Sequence, residues 1–316
     1  MRRNAHFTDH TVRVSSLVST QRRYIMSSTV LQSFWMLAAG AFYTLLAICI
    51  KWGVDSYSVY EIVFYRSAFG IFMVLYLLKQ KGIPIATPML GTHILRNALA
   101  TTNLCLGAYI TWLLPLAMAQ ILNYTCPLFF ASWIVAEMLV AGRRINWGLL
   151  GALICGFLGV CLIIRPDVGE AMLLPMLLGL IVGATGGSAD WIVKKMGERG
   201  EPAERIVFWF VVAGLIVGFA GIVLGDGFHP LDMNGFLILL GVGVFGTLGQ
   251  YTMTLALKNG EAFLNSVLQY SGVVFSIIAG IFIFGDSLDM LTFIGIAVIC
   301  LSGIASTILT VIAKRD

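Results

Sequence analysis

The sequence predicts an all-α integral membrane protein: ten transmembrane helices arranged as two inverted five-helix repeats, with the N- and C-termini cytoplasmic. Three observations carry that expectation. Of the 316 residues, 59% are hydrophobic and 11% charged, with a mean hydropathy of +0.91; a soluble domain carries roughly a quarter charged residues. Apolar stretches long enough to cross a bilayer recur along the chain. The second half also echoes the first at a nearly constant offset. A large soluble helical protein would need polar helix faces that these stretches lack.

A transmembrane helix takes about 20 mostly apolar residues. Cutting at charges, prolines and glycines gives spans at 31–50, 59–78, 93–112, 115–139, 146–164, 171–191, 205–224, 234–257, 262–284 and 291–312. Several linkers are only a few residues long, so consecutive helices form antiparallel hairpins. Each helix then satisfies its own backbone hydrogen bonds, as lipid demands. The chain divides into a polar basic tail (1–29), a first repeat (30–165), a second, inverted repeat (171–312) and a short C-terminal tail (313–316). In the first tail Arg2, Arg3, Arg13, Arg22 and Arg23 face the single acid Asp9. It lacks the apolar core of a secretory signal. Its Arg- and Ser-rich character fits a transit peptide; alternatively Met26 is the natural start and the residues before it are not native.

Lys and Arg set the orientation. With the N-terminus in the cytoplasm, seventeen of the twenty fall on the cytoplasmic side and two, Lys51 and Arg165, on the other. Arg66 lies within a span. That asymmetry is a positive-inside pattern. A bacterial inner membrane is the expected location, with an organelle membrane as the alternative.

The repeat rests on matched positions. At an offset of 144, Lys51, Gly53, Ile62, Val63, Phe64 and Gly70 recur as Lys195, Gly197, Ile206, Val207, Phe208 and Gly214. At an offset of 146, Leu122, Tyr124 and Phe129 recur as Leu268, Tyr270 and Phe275. Gly151 and Gly159 match Gly295 and Gly303. Because five is odd, the second copy starts on the opposite face and is inverted. Inverted repeats are the usual plan of secondary transporters, with the site near midplane at the repeat interface.

Several stretches resemble the drug/metabolite transporter superfamily, in its ten-helix EamA-type branch. They are "FYRS" (64–67), "HILR" (93–96), "CPLF" (126–129), "GFLGVCLIIRP" (156–166) and "IFIFGDSL" (281–288), and the resemblance covers about 29–312. It implies carriage of small metabolites through a cavity lined chiefly by helices 1, 3, 4, 6, 8 and 9. The chain departs from the pattern where Glu137 sits early, where Asp286 replaces a glutamate, and where Val273 stands opposite Pro127.

Within the spans, polar residues mark the candidate substrate site. Gln120, Asn123 and Tyr124 fall at i, i+3 and i+4 on helix 4, and Asn265, Gln269 and Tyr270, with Ser266, form a similar polar group on helix 9. Both tyrosines approach midplane from opposite sides. The plainer reading of these groups is polar glue between helices. Arg66 and Arg96 could clamp a carboxylate or phosphate; alternatively each forms an ion pair or caps another helix's carbonyls, and Arg96 could snorkel to the headgroups. Tyr43, Asn103, Trp112 and Gln250 complete the candidates. In "GATGGSAD" (183–190) the small residues suit close helix contact, and Asp190 stands four residues before Lys194 as a local pair. Glu61, Glu137, Asp190 and Asp286 all fall near expected helix ends, which favours a facilitator or exchanger over a proton-driven carrier, with Asp190 and Glu137 left as the coupling candidates.

Other classes find little support. The six cysteines are scattered through apolar stretches without a CxxC pair, as buried thiols, and no His/Cys cluster or HExxH suggests a metal. "VLGDG" (223–227) superficially suggests an intramembrane aspartyl protease, but Asp226 falls in a loop without a Tyr-Asp partner. The expectation is therefore a secondary transporter, not an enzyme. Its substrate would be a small organic anion, amino acid or related zwitterion, with export of cationic or neutral molecules as the alternative. The expected partners are that small molecule and the bilayer; no cofactor and no nucleic acid are expected, and the residues set no oligomeric state.

Overall fold

The computed structural model describes residues 29–53, 56–113, 122–164, 173–225, 227–284 and 290–313. Most of the N-terminal tail, Gln120, Asp226 and Asp286 lie outside them. The described elements are helical: α1 (Thr29–Gly53), α2 (Val59–Gln80), α3 (Leu90–Leu113), α4 (Cys126–Val140), α5 (Trp147–Ile164), α6 (Leu173–Glu198), α7 (Ala203–Leu224), α8 (Met233–Asn259), α9 (Ala262–Ile283) and α10 (Met290–Ala313).

Among the described residues six helices, α1, α2, α7, α8, α9 and α10, are long and apolar enough to cross a membrane, while α4 and α5 are apolar but shorter. The long helices α3 and α6 carry more polar groups, among them His93, Arg96, Asn97, Asp190, Lys194 and Lys195. Part of that polarity faces inward: His93, Arg96, Asn97 and Asp190 are buried against neighbouring helices. The outer surface is apolar: Leu224 is 87% and Phe282 84% exposed, as suits a surface meeting lipid. The same inversion applies to cysteine. Cys155 and Cys300 lie on that surface rather than buried as expected, whereas Cys49 is buried and no described cysteine is bonded to another.

Helix packing is reciprocal between the halves. α2 packs on α7, α4 on α9 and α5 on α10, each helix against its counterpart five helices later. The crossed pairs α1·α8 and α3·α6 mirror each other, as do α4·α6 and α1·α9. A two-fold relation between repeats generates this pattern.

Close approach is made possible by glycine. A Cβ on Gly187 of α6 would stand 2.6 Å from the Cys126 carbonyl oxygen and 2.7 Å from the Phe130 nitrogen. On α8, Gly243, Gly246 and Gly249 form a groove that receives the side chains of Phe69, Arg66 and Tyr43.

Two expected helices are interrupted. The span expected at 115–139 is helical at Leu122 and Asn123, turns at Tyr124 and Thr125, and resumes as α-helix at Cys126. Pro127 sits in the first turn of α4, where a missing N–H is tolerated. α9 breaks at Tyr270, between Ala262–Gln269 and Ser271–Ala279, and then widens into a π-turn at Gly280–Phe284. Tyr124 and Tyr270 are matched positions of the repeat, so both halves interrupt the helix at the same place.

Candidate functional site

The interruptions open onto a cavity of about 550 Å³ between α1, α4, α8 and α9. Tyr43, Gly40 and Met36 line it from α1, Asn123 and Tyr124 from the turn before α4, Met253 from α8, and Gln269 and Gly272 from α9. The Tyr43 hydroxyl donates to Gln250 Oε1 at 3.2 Å and lies 3.5 Å from Met253 Sδ. Gln269 donates from Nε2 to Asp190 Oδ2 at 3.3 Å. Aromatic and thioether surface with a few fixed polar groups is the usual lining of a small-molecule pocket.

Two guanidiniums gather on one ring. Arg96 Cζ lies 4.4 Å, and Arg66 Cζ 5.5 Å, from the centre of Phe210 on α7. Arg66 Nη2 also donates to the Gly246 carbonyl at 3.5 Å, at the long edge of hydrogen bonding. Arg96 Nη1 donates to Asn97 Oδ1 at 3.1 Å, and its Nε is buried without a partner. Among the described residues no carboxylate lies within ion-pair distance of either arginine. The ion-pair and snorkelling expectations for Arg96 are corrected: the residue is 3% exposed, because α3 packs against α7 and turns it onto Phe210.

The other expected residues divide. Asn123, Tyr124, Gln269 and Tyr43 come together at the cavity, with Gln250 behind Tyr43. Tyr270 does not: it is fully buried, its ring 6.4 Å from that of Tyr124 and 6.5 Å from Phe157, and its hydroxyl has no partner. The break in α9 separates it from Gln269 and turns it toward α5, where it rests on Gly156. Asn265 is also fully buried, donating from Nδ2 to the Ala256 carbonyl at 2.6 Å and fastening α9 to the end of α8. Ser266 is buried as well, its hydroxyl spent on the Ala262 carbonyl. Asn103 donates to the Val182 carbonyl at 2.7 Å, joining α3 to α6. Trp112 is described through its backbone alone.

Asp190 is a second correction. Lys194 pairs instead with Glu198 at 3.4 Å, and Asp190 reaches the amide of Gln269. Its inward direction follows from α6 packing on α3, α4 and α8 at once, which a local i, i+4 pattern does not reveal. Phe210, Met36 and Met253 were also missed. For Phe210 the signal was present, since it is the counterpart of Arg66.

Two clasps close the bundle's ends. At one, Glu61 completes a capping box with Ser58 and accepts from the His229 backbone N–H at 2.7 Å, with His229 Nδ1 2.6 Å away. At the other, Arg205 donates from Nε to the Pro84 carbonyl at 2.8 Å and approaches Glu201, which also lies 2.9 Å from His93 Nε2. Glu61 and Arg205 are matched positions, so each repeat clasps a loop of the other. Lys81 joins the second end through Glu204 at 2.6 Å.

A helical membrane protein whose two equivalent halves enclose a polar-edged cavity has the architecture of a membrane transporter. The chain belongs to the EamA-like transporter family, whose profile matches residues 31–165 and 173–309, one match to each half. The chain is similar to the pseudopaline exporter CntI of Pseudomonas aeruginosa, at 27% identity over 78% of this chain and 84% of the relative. It is also similar to a riboflavin transporter of Vibrio cholerae, at 26% identity over 85% and 90%. A third relative is an S-adenosylmethionine uptake transporter of Rickettsia conorii, 22% identical over 76% and 80%. One solved structure superposes with a TM-score of 0.78 at 14% identity, over 90% of this chain and 99% of its own, a likeness of fold alone.

Proposed function

We propose that the chain is a secondary transporter with ten spans in two inverted repeats, cytoplasmic termini and a place in a bacterial inner membrane. It moves a small organic anion, amino acid or related zwitterion by alternating access. The observation that carries this reading is the pair of guanidiniums on Phe210 without a carboxylate partner among the described residues. A charge at a helix centre costs about 2.5–3.5 kcal/mol on insertion scales. An arriving carboxylate or phosphate offsets that cost and matches the planar fork of arginine. Tyr43, Asn123, Tyr124 and Gln269 then meet the uncharged part of the substrate. Relatives named for pseudopaline, riboflavin and S-adenosylmethionine support a small-metabolite cargo; they include both an exporter and an uptake transporter, so they favour neither direction.

A second reading, export of a cationic or neutral molecule, draws on the cavity wall itself, where Met36, Tyr43, Tyr124 and Met253 are apolar or aromatic. Counterflow in proteoliposomes separates the two. A pool of labelled amino acids, dicarboxylates, riboflavin and S-adenosylmethionine is offered to the full-length protein, alongside lipophilic cations. Exchange of an anionic or zwitterionic solute supports the first reading, exchange of lipophilic cations or of neutral riboflavin alone supports the second, and exchange of nothing removes both.

A further inference from the structure

Asp190 has a place in the molecule that substrate binding leaves unexplained. It is 7% exposed on α6, behind Gln269 rather than on the cavity wall. Charged and titratable groups face it from the surrounding helices: Arg96 on α3, Tyr43 on α1 and Cys126 at the start of α4. α9 presents the neutral amide of Gln269; on α8, the uncharged Gln250 accepts from Tyr43. Along α6 itself, Lys194 and Lys195 are engaged with Glu198 and Glu137. Among the described residues no cation lies within ion-pair distance of the carboxylate. An ionised carboxyl buried with one long amide contact is poorly compensated, and ionisable groups in that condition within a membrane mark ion pathways.

We propose that Asp190 binds the proton that couples transport, an inference that rests on the transporter reading above. The logic is electrostatic. Arg96 and Asp190 are opposite charges, both buried and not in contact with each other. When water on one face delivers a proton to the Asp190 carboxyl, forming an O–H bond, Arg96 loses its distant counter-charge and holds an anionic group more tightly. When the proton leaves to water on the opposite face, Asp190 again compensates Arg96 and the anionic group is released. Proton and anion therefore favour each other's binding, reciprocally, and travel in the same direction.

The test uses full-length protein in liposomes containing trapped pyranine, with the same pool of amino acids, dicarboxylates, riboflavin and S-adenosylmethionine. In wild type, an acidic exterior should raise accumulation of the counterflow-active solute at least about fivefold, the lower end of coupling between sites. The lumen should acidify as solute enters. Asp190→Asn should keep measurable counterflow but lose both effects, and Asp190→Glu should keep both. Gradient-driven accumulation by Asp190→Asn overturns the proposal. So does loss of counterflow in a folded Asp190→Asn, which would make the carboxylate a substrate ligand. Wild-type counterflow without proton movement overturns the coupling alone, and absence of wild-type counterflow overturns the transporter reading and the coupling together.

Discussion

The guanidinium carbon of Arg66 lies 5.5 Å from the ring centre of Phe210, the residue that holds its place in the second repeat. These matched positions meet because α2 packs on its own counterpart, α7. At such an axis an identical residue would face itself, and two guanidiniums there would repel in a medium that screens charge poorly. A ring in place of the second arginine turns that repulsion into attraction, worth about 2 kcal/mol or more where water is excluded.

Phe210→Leu should therefore lower the melting temperature in detergent, while Phe210→Trp, which keeps a π face, should lower it less. Equal melting of Phe210→Leu and wild type would remove the ring from the account of the arginines.

Gly187 and Gly246 should respond differently to alanine. At Gly187 a Cβ meets backbone atoms, which cannot turn aside; at Gly246 it meets Arg66 Nε at 2.6 Å, on a flexible side chain. Gly187→Ala should cost about 1–3 kcal/mol through overpacking. Gly246→Ala should melt closer to wild type yet weaken transport by shifting Arg66. The reverse order of melting temperatures would contradict the close contacts described for α6.

Stability should fall at both extremes of pH. Burial pushes the Glu201 carboxyl up, but contacts from His93 and Thr87 and the charge of Arg205 outweigh it and hold the group below its ordinary 4.5. Its contribution is thus complete above that value and fades as pH drops through the folded value. Lys81 works oppositely. Its hydrogen bond to Glu204 raises the ammonium above 10.5, so its contribution is complete below that value and is lost as pH climbs through the folded value. Melting curves across pH should show both limbs, with a shallower acid limb in Glu201→Gln. An unchanged acid limb would assign the acid loss to other groups.

How much of this was legible in the sequence depends on how local the signal was. The helices and the duplication were readable, because lipid imposes long apolar runs and the copies kept Ile62, Val63 and Phe64 in register with Ile206, Val207 and Phe208. The orientations of single side chains were not. Gln269 and Tyr270 are neighbours, yet a break between two short helices sends one to the cavity and the other to α5. Pro127 gives a reason for the break before α4, but Val273 stands opposite it in α9, so the break there carries no such mark. Asp190 had a plausible local partner in Lys194, but Glu198, four residues beyond that lysine, is an equally local partner and takes it; only tertiary packing turns Asp190 inward.

The two matched tyrosines should separate by role. Tyr270→Phe removes a buried hydroxyl that has no partner, so stability should hold or rise by up to about 1 kcal/mol, with transport unchanged. Tyr124→Phe alters the cavity wall and should weaken counterflow with little effect on melting. A transport defect in a stable Tyr270→Phe would return that residue to the substrate site.

The claim that an anionic group is held beside Phe210 is tested most directly by the half-saturation concentration for counterflow in Arg96→Ala. Hydrogen bonds to charged groups contribute about 1.5–3 kcal/mol, so the concentration should rise at least about tenfold, and Arg96→Lys should restore only part of the loss because it lacks the planar fork. An unchanged half-saturation in folded Arg96→Ala would contradict the account and leave Arg96 a structural residue packed on a ring.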